Sequence, residues 1–153
     1  MLKCIFSGDK SHLEAYAWAL SEHRAQHKHG SALSDPAEVL AALSDSDNSG
    51  VLILYDNDRN AIGGAAIANG VVMGLFAQSG YGSEVVKCAI ACGGRELDCF
   101  DGFLPGYYSR FGFVEYDRMA NWVAGEPDVV YMRLHASAVQ HALSAIAGAF
   151  SYS

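Results

Sequence analysis

Apolar and polar positions along the chain change period several times, and each change marks an element. Lys3-Cys4-Ile5-Phe6 is a short apolar run ended by Ser7-Gly8, which predicts a first strand. Leu13, Tyr16, Ala17, Leu20 and Arg24 then recur at helical spacing, predicting a helix from about Lys10 to His27 with Ser11 and Glu14 as a capping box. Asp35-Pro36-Ala37-Glu38 places an acidic N-cap before a proline at the first helical position, so a short helix follows with Val39, Leu40 and Leu43 on its buried side. It stops in the polar run 44–50.

Val51 to Tyr55 and Ala61 to Ala68 are apolar runs separated by Asp56-Asn57-Asp58-Arg59-Asn60, and Asn69-Gly70 is a tight hairpin signal because both residues tolerate positive φ. Three antiparallel strands in a row result, with Gly63-Gly64 predicting a bulge or a close backbone approach. The organising stretch is 71–113: a buried strand (71–76), a glycine turn (77–83), a short helix (84–92), a strand (96–100) and a helix entered through Leu104-Pro105 that ends at Gly112. Phe113 to Met119 and Val129 to Leu134 form a terminal strand pair. Trp122, in their long connection, can wall a pocket or cover the core. Val139, Leu143, Ile146 and Phe150 give a C-terminal amphipathic helix, so the chain divides into a domain over 1–134 and a helix over 135–153. That helix buries its apolar stripe on its own domain or on a second copy in a homodimer.

Composition sharpens the class. The chain has 153 residues, 51% hydrophobic and 18% charged, the profile of one packed domain rather than a disordered segment. Ten Lys and Arg against 17 Asp and Glu give a net charge of −7, which opposes general binding to nucleic acid and suits a basic or neutral acceptor. Cys4, Cys88, Cys92 and Cys99 form no C-x-x-C pair, so the expectation is reduced core thiols in a cytoplasmic protein. His23 and His27 share a helical face, as a metal pair requires, yet with His29 they read better as the cation-favouring end of a helix, and no metal is expected. No apolar run approaches ~18 residues and no signal peptide is evident, which predicts a protein neither membrane-spanning nor secreted by that route.

The turn carries the candidate chemistry. Gly80 and Gly82 remove side chains where consecutive N–H groups open a helix, which favours a phosphate. Ala77-Gln78-Ser79-Gly80-Tyr81-Gly82, followed by Ser83, Glu84 and the apolar pair Val85-Val86, together with Tyr107-Tyr108 and Gly112-Phe113 beyond the next strand, resembles the Gcn5-related N-acetyltransferase (GNAT) family. The resemblance covers roughly residues 50–134. Two positions depart from the family pattern: Ala77 stands where an Arg or Gln leads the cofactor loop, with Gln78 one residue late, and Gly102 stands where an asparagine is frequent.

The resemblance implies an α/β (α+β) fold, a mixed, mostly antiparallel sheet flanked by helices with the C-terminal helix added. It also implies an acetyl-CoA-dependent N-acetyltransferase acting on an amine of a small molecule, peptide or protein. By that alignment the Leu75, Phe76 and Ala77 backbone pairs with the pantetheine arm, Ser79, Gly80, Tyr81, Gly82 and Ser83 hold the pyrophosphate, Gln78 and Tyr108 complete the cofactor-binding set, and Tyr108 is the general acid. Tyr108 also fits as a core aromatic beside Tyr107. Asp98 and Asp101 flank the end of a core strand and are the first candidates for the base, with Asp117 and Glu126 behind them. Asp101 also fits as a helix cap, and Asp98 as a solvent-facing carboxylate. The alternative is a CoA-binding or regulatory protein of the same fold without turnover.

Overall fold

A computed structural model describes residues 2–26, 34–146 and 151–152. In chain order its elements are β1 (Lys3–Ser7), α1 (Lys10–Gln26), α2 (Pro36–Ser44), β2 (Ser49–Tyr55), β3 (Ala61–Ala68), β4 (Val71–Ala77), α3 (Gly82–Ala91), β5 (Glu96–Phe100), α4 (Phe103–Ser109), β6 (Phe113–Met119), β7 (Val129–Leu134), α5 (Ala136–Ile146) and β8 (Ser151–Tyr152). One sheet runs in the order β6-β7-β5-β4-β3-β2-β1-β8. Its pairs are antiparallel except β4–β5 and the two-residue contact of β8 with β1. The mixed α/β architecture is the one expected. His27, His29 and Phe150 lie outside the described residues.

Strand alternation divides the core in two. Leu52 and Leu54 face α3 and α4, whereas Val51 and Ile53 face α1 and α2, because successive strand residues point to opposite faces. On the first face Leu97, Cys99, Val130 and Met132 extend the core across β5 and β7. The second core ends at β4, so Asp98 and Phe100 on β5 stay exposed. That uncovered half of the sheet is where a cleft can form.

Local signals explain most boundaries. Asp35 accepts the Ala37 N–H at 2.9 Å as the N-cap of α2 with Pro36 inside the first turn. Asn69 (φ 51°) and Gly70 (φ 84°) make the β3–β4 hairpin. α1 departs from expectation: it opens on the Asp9 carbonyl, which accepts from His12 and Leu13, so Ser11 is inside the helix and caps nothing. Ala138, Val139 and Leu143 of α5 pack on the α3-side core, and the two helices are in contact. The described apolar side chains of α5 are therefore seated on the protein's own domain. Among the described residues, no helix is long and apolar enough to cross a membrane.

Candidate active site

Two adjacent parallel strands of the sheet come apart. β4 and β5 register at a single pair, Val71 with Glu96, where the Arg95 and Glu96 N–H groups both donate to the Gly70 carbonyl. Beyond it β5 follows β7 for five pairs while β4 follows β3. The strands share no pair beyond Val71, and Gly74 lies within the parted stretch. Its φ is +58°, and an added Cβ would collide with the Tyr16 hydroxyl and lie 3.0 Å from Val39 Cγ2. Val72 and Leu75 both face the α3-side core, and Met73 and Phe76 the α1-side core, so Gly74 is the extra residue of a bulge that resets the alternation. The β3–β4 register shift between Gly64 and Ala66 is the same event seen from the partner strand.

The resulting cleft has a volume of about 800 Å³. Val72 to Leu75 form one wall, Leu97 to Phe100 the other, and Leu104 and Tyr108 close it on the α4 side. Trp122 is 82% exposed and lines the cleft, so it walls the pocket rather than covering the core.

β4 leads straight into the glycine turn. Tyr81 N–H donates to the Gln78 carbonyl at 3.0 Å, and Gly80 takes φ +92° inside that turn with nothing within 4 Å of the position a Cβ would take. Gln78, Ser79 and Gly80 are exposed, while Tyr81, Gly82 and Ser83 are half-buried as α3 begins. Val85 N–H already bonds the Tyr81 carbonyl, which leaves the N–H groups of 82–84 without intrahelical acceptors. Gly82 is needed for a different reason: a Cβ there would come within 2.8 Å of the Tyr107 hydroxyl. These features fit an anion laid on the turn from the Gly80 side.

No protein-family model matches the sequence, and no curated protein matches it. Solved structures do. A GNAT-family acetyltransferase from Staphylococcus aureus Mu50 aligns over 88% of this chain and 100% of its own, with 16% identity and a TM-score of 0.57. An acyl-CoA N-acyltransferase from Pseudomonas aeruginosa aligns over 88% and 99%, with 14% identity and a TM-score of 0.62. A chain of the NatC complex bound to Gag peptide and CoA aligns over 86% and 98%, with 15% identity and a TM-score of 0.58. The chain has the GNAT fold.

Within this GNAT fold the expected site residues separate. Leu75 lines the cleft, Ala77 is half-buried beside Gly63, and the Phe76 ring is buried against Tyr16 and His23 with centroids 6.0 and 5.3 Å away. Of the Phe76 residue only the backbone can serve a ligand in the cleft. Tyr108 is 8% exposed, packs edge-on against Tyr107 and Phe113, and lines the cleft. Burial pushes its phenol above the ordinary tyrosine range, so it stays protonated.

The two acids expected at the end of β5 differ. Asp98 lines the cleft. Asp101 is instead fixed by Arg118 at 2.6 Å and by the Gly102 N–H at 3.0 Å, and these contacts hold its carboxyl below the usual range. A carboxylate so engaged is a poor proton acceptor, which sets Asp101 apart from Asp98. Asp117 Oδ1 accepts the Arg118 N–H, and Glu126 lines the cleft.

Three features escaped sequence reasoning. One is the Tyr16–Gly74 contact, whose signal is a glycine interrupting an apolar strand. A second is a hollow of about 480 Å³ between α3, α4 and α5 that Lys87, Arg110 and His141 line beside Ser83. The third is the acidity of the main cleft, which Asp35 and Glu38 share with Asp98 and Glu126. Among the described residues, no group of three or more His, Cys, Asp or Glu is placed to hold a metal.

Proposed function

We propose that the protein is an acetyl-CoA-dependent N-acetyltransferase that acts on an amine. One observation carries the reading: the strand that parts from its neighbour beyond Val71 and bulges at Gly74 runs directly into a turn whose Gly80 face is open. A cleft for a thioester arm and a seat for its diphosphate are thus joined by a single strand.

Bound acetyl-CoA supplies an acyl group already activated as a thioester. The N–H groups at 82–84 and the Ser79 and Ser83 hydroxyls serve the pyrophosphate. The edge of β4 from Leu75 to Ala77 offers its backbone groups to the pantetheine amides. Lys87, Arg110 and His141 line the hollow beside Ser83, where they serve the ribose phosphate.

Transfer makes one N–C bond and breaks one C–S bond, and the proton lost by the amine matches the one gained by the thiolate. Tyr108 gives its proton to the departing sulfur, a role that suits a phenol kept neutral by burial. Asp98 accepts the proton from the attacking amine, directly or through water. Gly74 takes no part in proton transfer; it shapes the strand so that backbone donors can meet the developing oxyanion.

Calorimetric titration with acetyl-CoA, followed by thiol release over a panel of amines, tests the proposal. Binding with amine-dependent thiol release is the expected result, and no binding overturns it. The second reading, cofactor binding without turnover, draws on Ala77 and Gly102, the two departures from the family pattern; binding with no release on any amine selects it.

A further inference from the structure

We propose that β6 is the contact between two copies of this chain, which pair edge to edge about a two-fold axis and extend the sheet across the dimer. The inference does not depend on the acyltransferase reading.

β6 stands at one end of the sheet, so among the described residues it has a neighbouring strand on one side only. The β7 ladder shows which of its main-chain groups are left over. Leu134 N–H donates to the Arg95 carbonyl and the Asp128 carbonyl accepts the Asp101 N–H, so these two residues and, by alternation, Met132 and Val130 turn toward β5. Their partners on β6 are Phe113, Glu115 and Arg118, which therefore present N–H and C=O groups outward. The Arg118 N–H finds a local acceptor, Asp117 Oδ1 at 2.8 Å. An edge of this kind is a template for another strand.

This edge is complementary to itself. The β6–β7 register shifts between Glu115 and Asp117, which resets the alternation in the middle of the strand. Glu115 and Arg118 consequently share a face and meet at 2.8 Å. Val114, Tyr116 and Met119 share the other, where Arg133 lies over the Tyr116 ring at 4.2 Å and the Tyr131 hydroxyl donates to Met119 Sδ. When two β6 strands run antiparallel with their centre between Tyr116 and Asp117, Glu115 of one protomer faces Arg118 of the other, twice over, and Val114 faces Met119. Each facing pair lies on one face of the joined sheet, and the outward main-chain groups of Glu115 and Arg118 meet. A shift of one or two residues either way sets residues of opposite faces against each other, so the bulge fixes the register.

Charge selects a second copy as the occupant. A net charge of −7 keeps copies of this chain apart in general, and the reciprocal Glu115–Arg118 contact is a local exception. Arg118 can make it while keeping Asp101 and Asp128. Val114, Tyr116 and Met119 are large apolar side chains about half exposed along the same edge, and the pairing covers them. The described apolar side chains of α5, the other candidate surface for self-association, are already seated on their own domain.

Sedimentation equilibrium over about 1–200 µM tests the proposal, with a dimer of micromolar dissociation constant expected. Glu115→Arg sets arginine against Arg118 at both symmetry-related contacts and should raise that constant at least about tenfold, the difference narrowing in high salt. Val114→Cys/Met119→Cys keeps both charges and reads the register: glutathione disulfide should convert it to a covalent dimer, whereas neither single variant cross-links. A monomer throughout the range, which leaves the edge to a different partner, overturns the inference. So does a dimer indifferent to Glu115→Arg, or cross-linking as efficient in either single variant as in the double. Should Glu115→Arg fail to fold, the cysteine pair still decides.

Discussion

The phenol of Tyr16 donates a 2.7 Å hydrogen bond to the carbonyl oxygen of Gly74, joining α1 to β4 across 58 positions of sequence. This contact ties the β4 bulge, which lines the cleft, to a helix residue far from the chemistry. Tyr16→Phe leaves a buried carbonyl without its donor and is expected to cost about 1–3 kcal/mol in denaturant unfolding and to weaken acetyl-CoA binding. Gly74→Ala, which meets the Tyr16 hydroxyl and keeps a positive φ, should be at least as damaging. Wild-type stability and affinity in both variants would refute the link.

Alkaline pH tests the same contact. Burial raises the Tyr16 pKa in the folded state, so its contribution is complete below the unfolded value of about 10 and declines as pH rises through the folded one. Unfolding midpoints should begin to fall above about pH 8.5, where the buried Cys4, Cys92 and Cys99, also raised, start to titrate in the unfolded chain, and Tyr16 should steepen the fall above about 10. The fall should be shallower in Tyr16→Phe.

Tyr108→Phe removes the proposed acid and keeps the ring packed against Tyr107 and Phe113. The expected loss in kcat is about 100-fold, with acetyl-CoA affinity changed by no more than about twofold. Because the raised phenol stays protonated, wild-type activity should show no alkaline decline from this group below about pH 10. Parental turnover across pH in the variant would remove Tyr108 from the mechanism.

Asp98 and Asp101 are three positions apart yet should behave differently. Asp98→Asn is expected to lower kcat by at least about tenfold, as loss of a proton acceptor does. Asp101→Asn only loosens the Arg118 network and should leave kcat near the wild-type value. Steady-state rates on the two variants decide between them, and equal losses would contradict the assignment.

Lys87→Ala and Arg110→Ala probe the hollow beside α5. Each should weaken CoA by several-fold, up to about tenfold, and hardly affect dephospho-CoA, since a phosphate contact carries the difference. Equal losses for both ligands would place the ribose phosphate elsewhere.

Much of this fold was legible because its punctuation is local. Asp35-Pro36 and Asn69-Gly70 each impose a backbone conformation on their own, and the helix before Gly112 ends within its own residues. The turn at 77–83 was legible for the same reason. What was not legible is assembled from distant positions. No spacing links Tyr16 to Gly74, or Glu38 to Asp98 and Glu126. Nor could the sequence separate Asp98 from Asp101, because the difference is made by Arg118 on another strand. Ser11 misled for the opposite reason, since a satisfactory capping-box pattern was bypassed in favour of a start at Asp9.

If the parted strands and the open turn bind an acyl-CoA, isothermal titration of acetyl-CoA into the wild type and Gly80→Val will register it. A valine at φ +92° strains the turn and puts a side chain on the face the diphosphate must approach. One-to-one binding in the micromolar range is expected for the wild type, with a loss of at least about tenfold in the variant. Absence of binding by the wild type, or equal affinity in the two proteins, would contradict it.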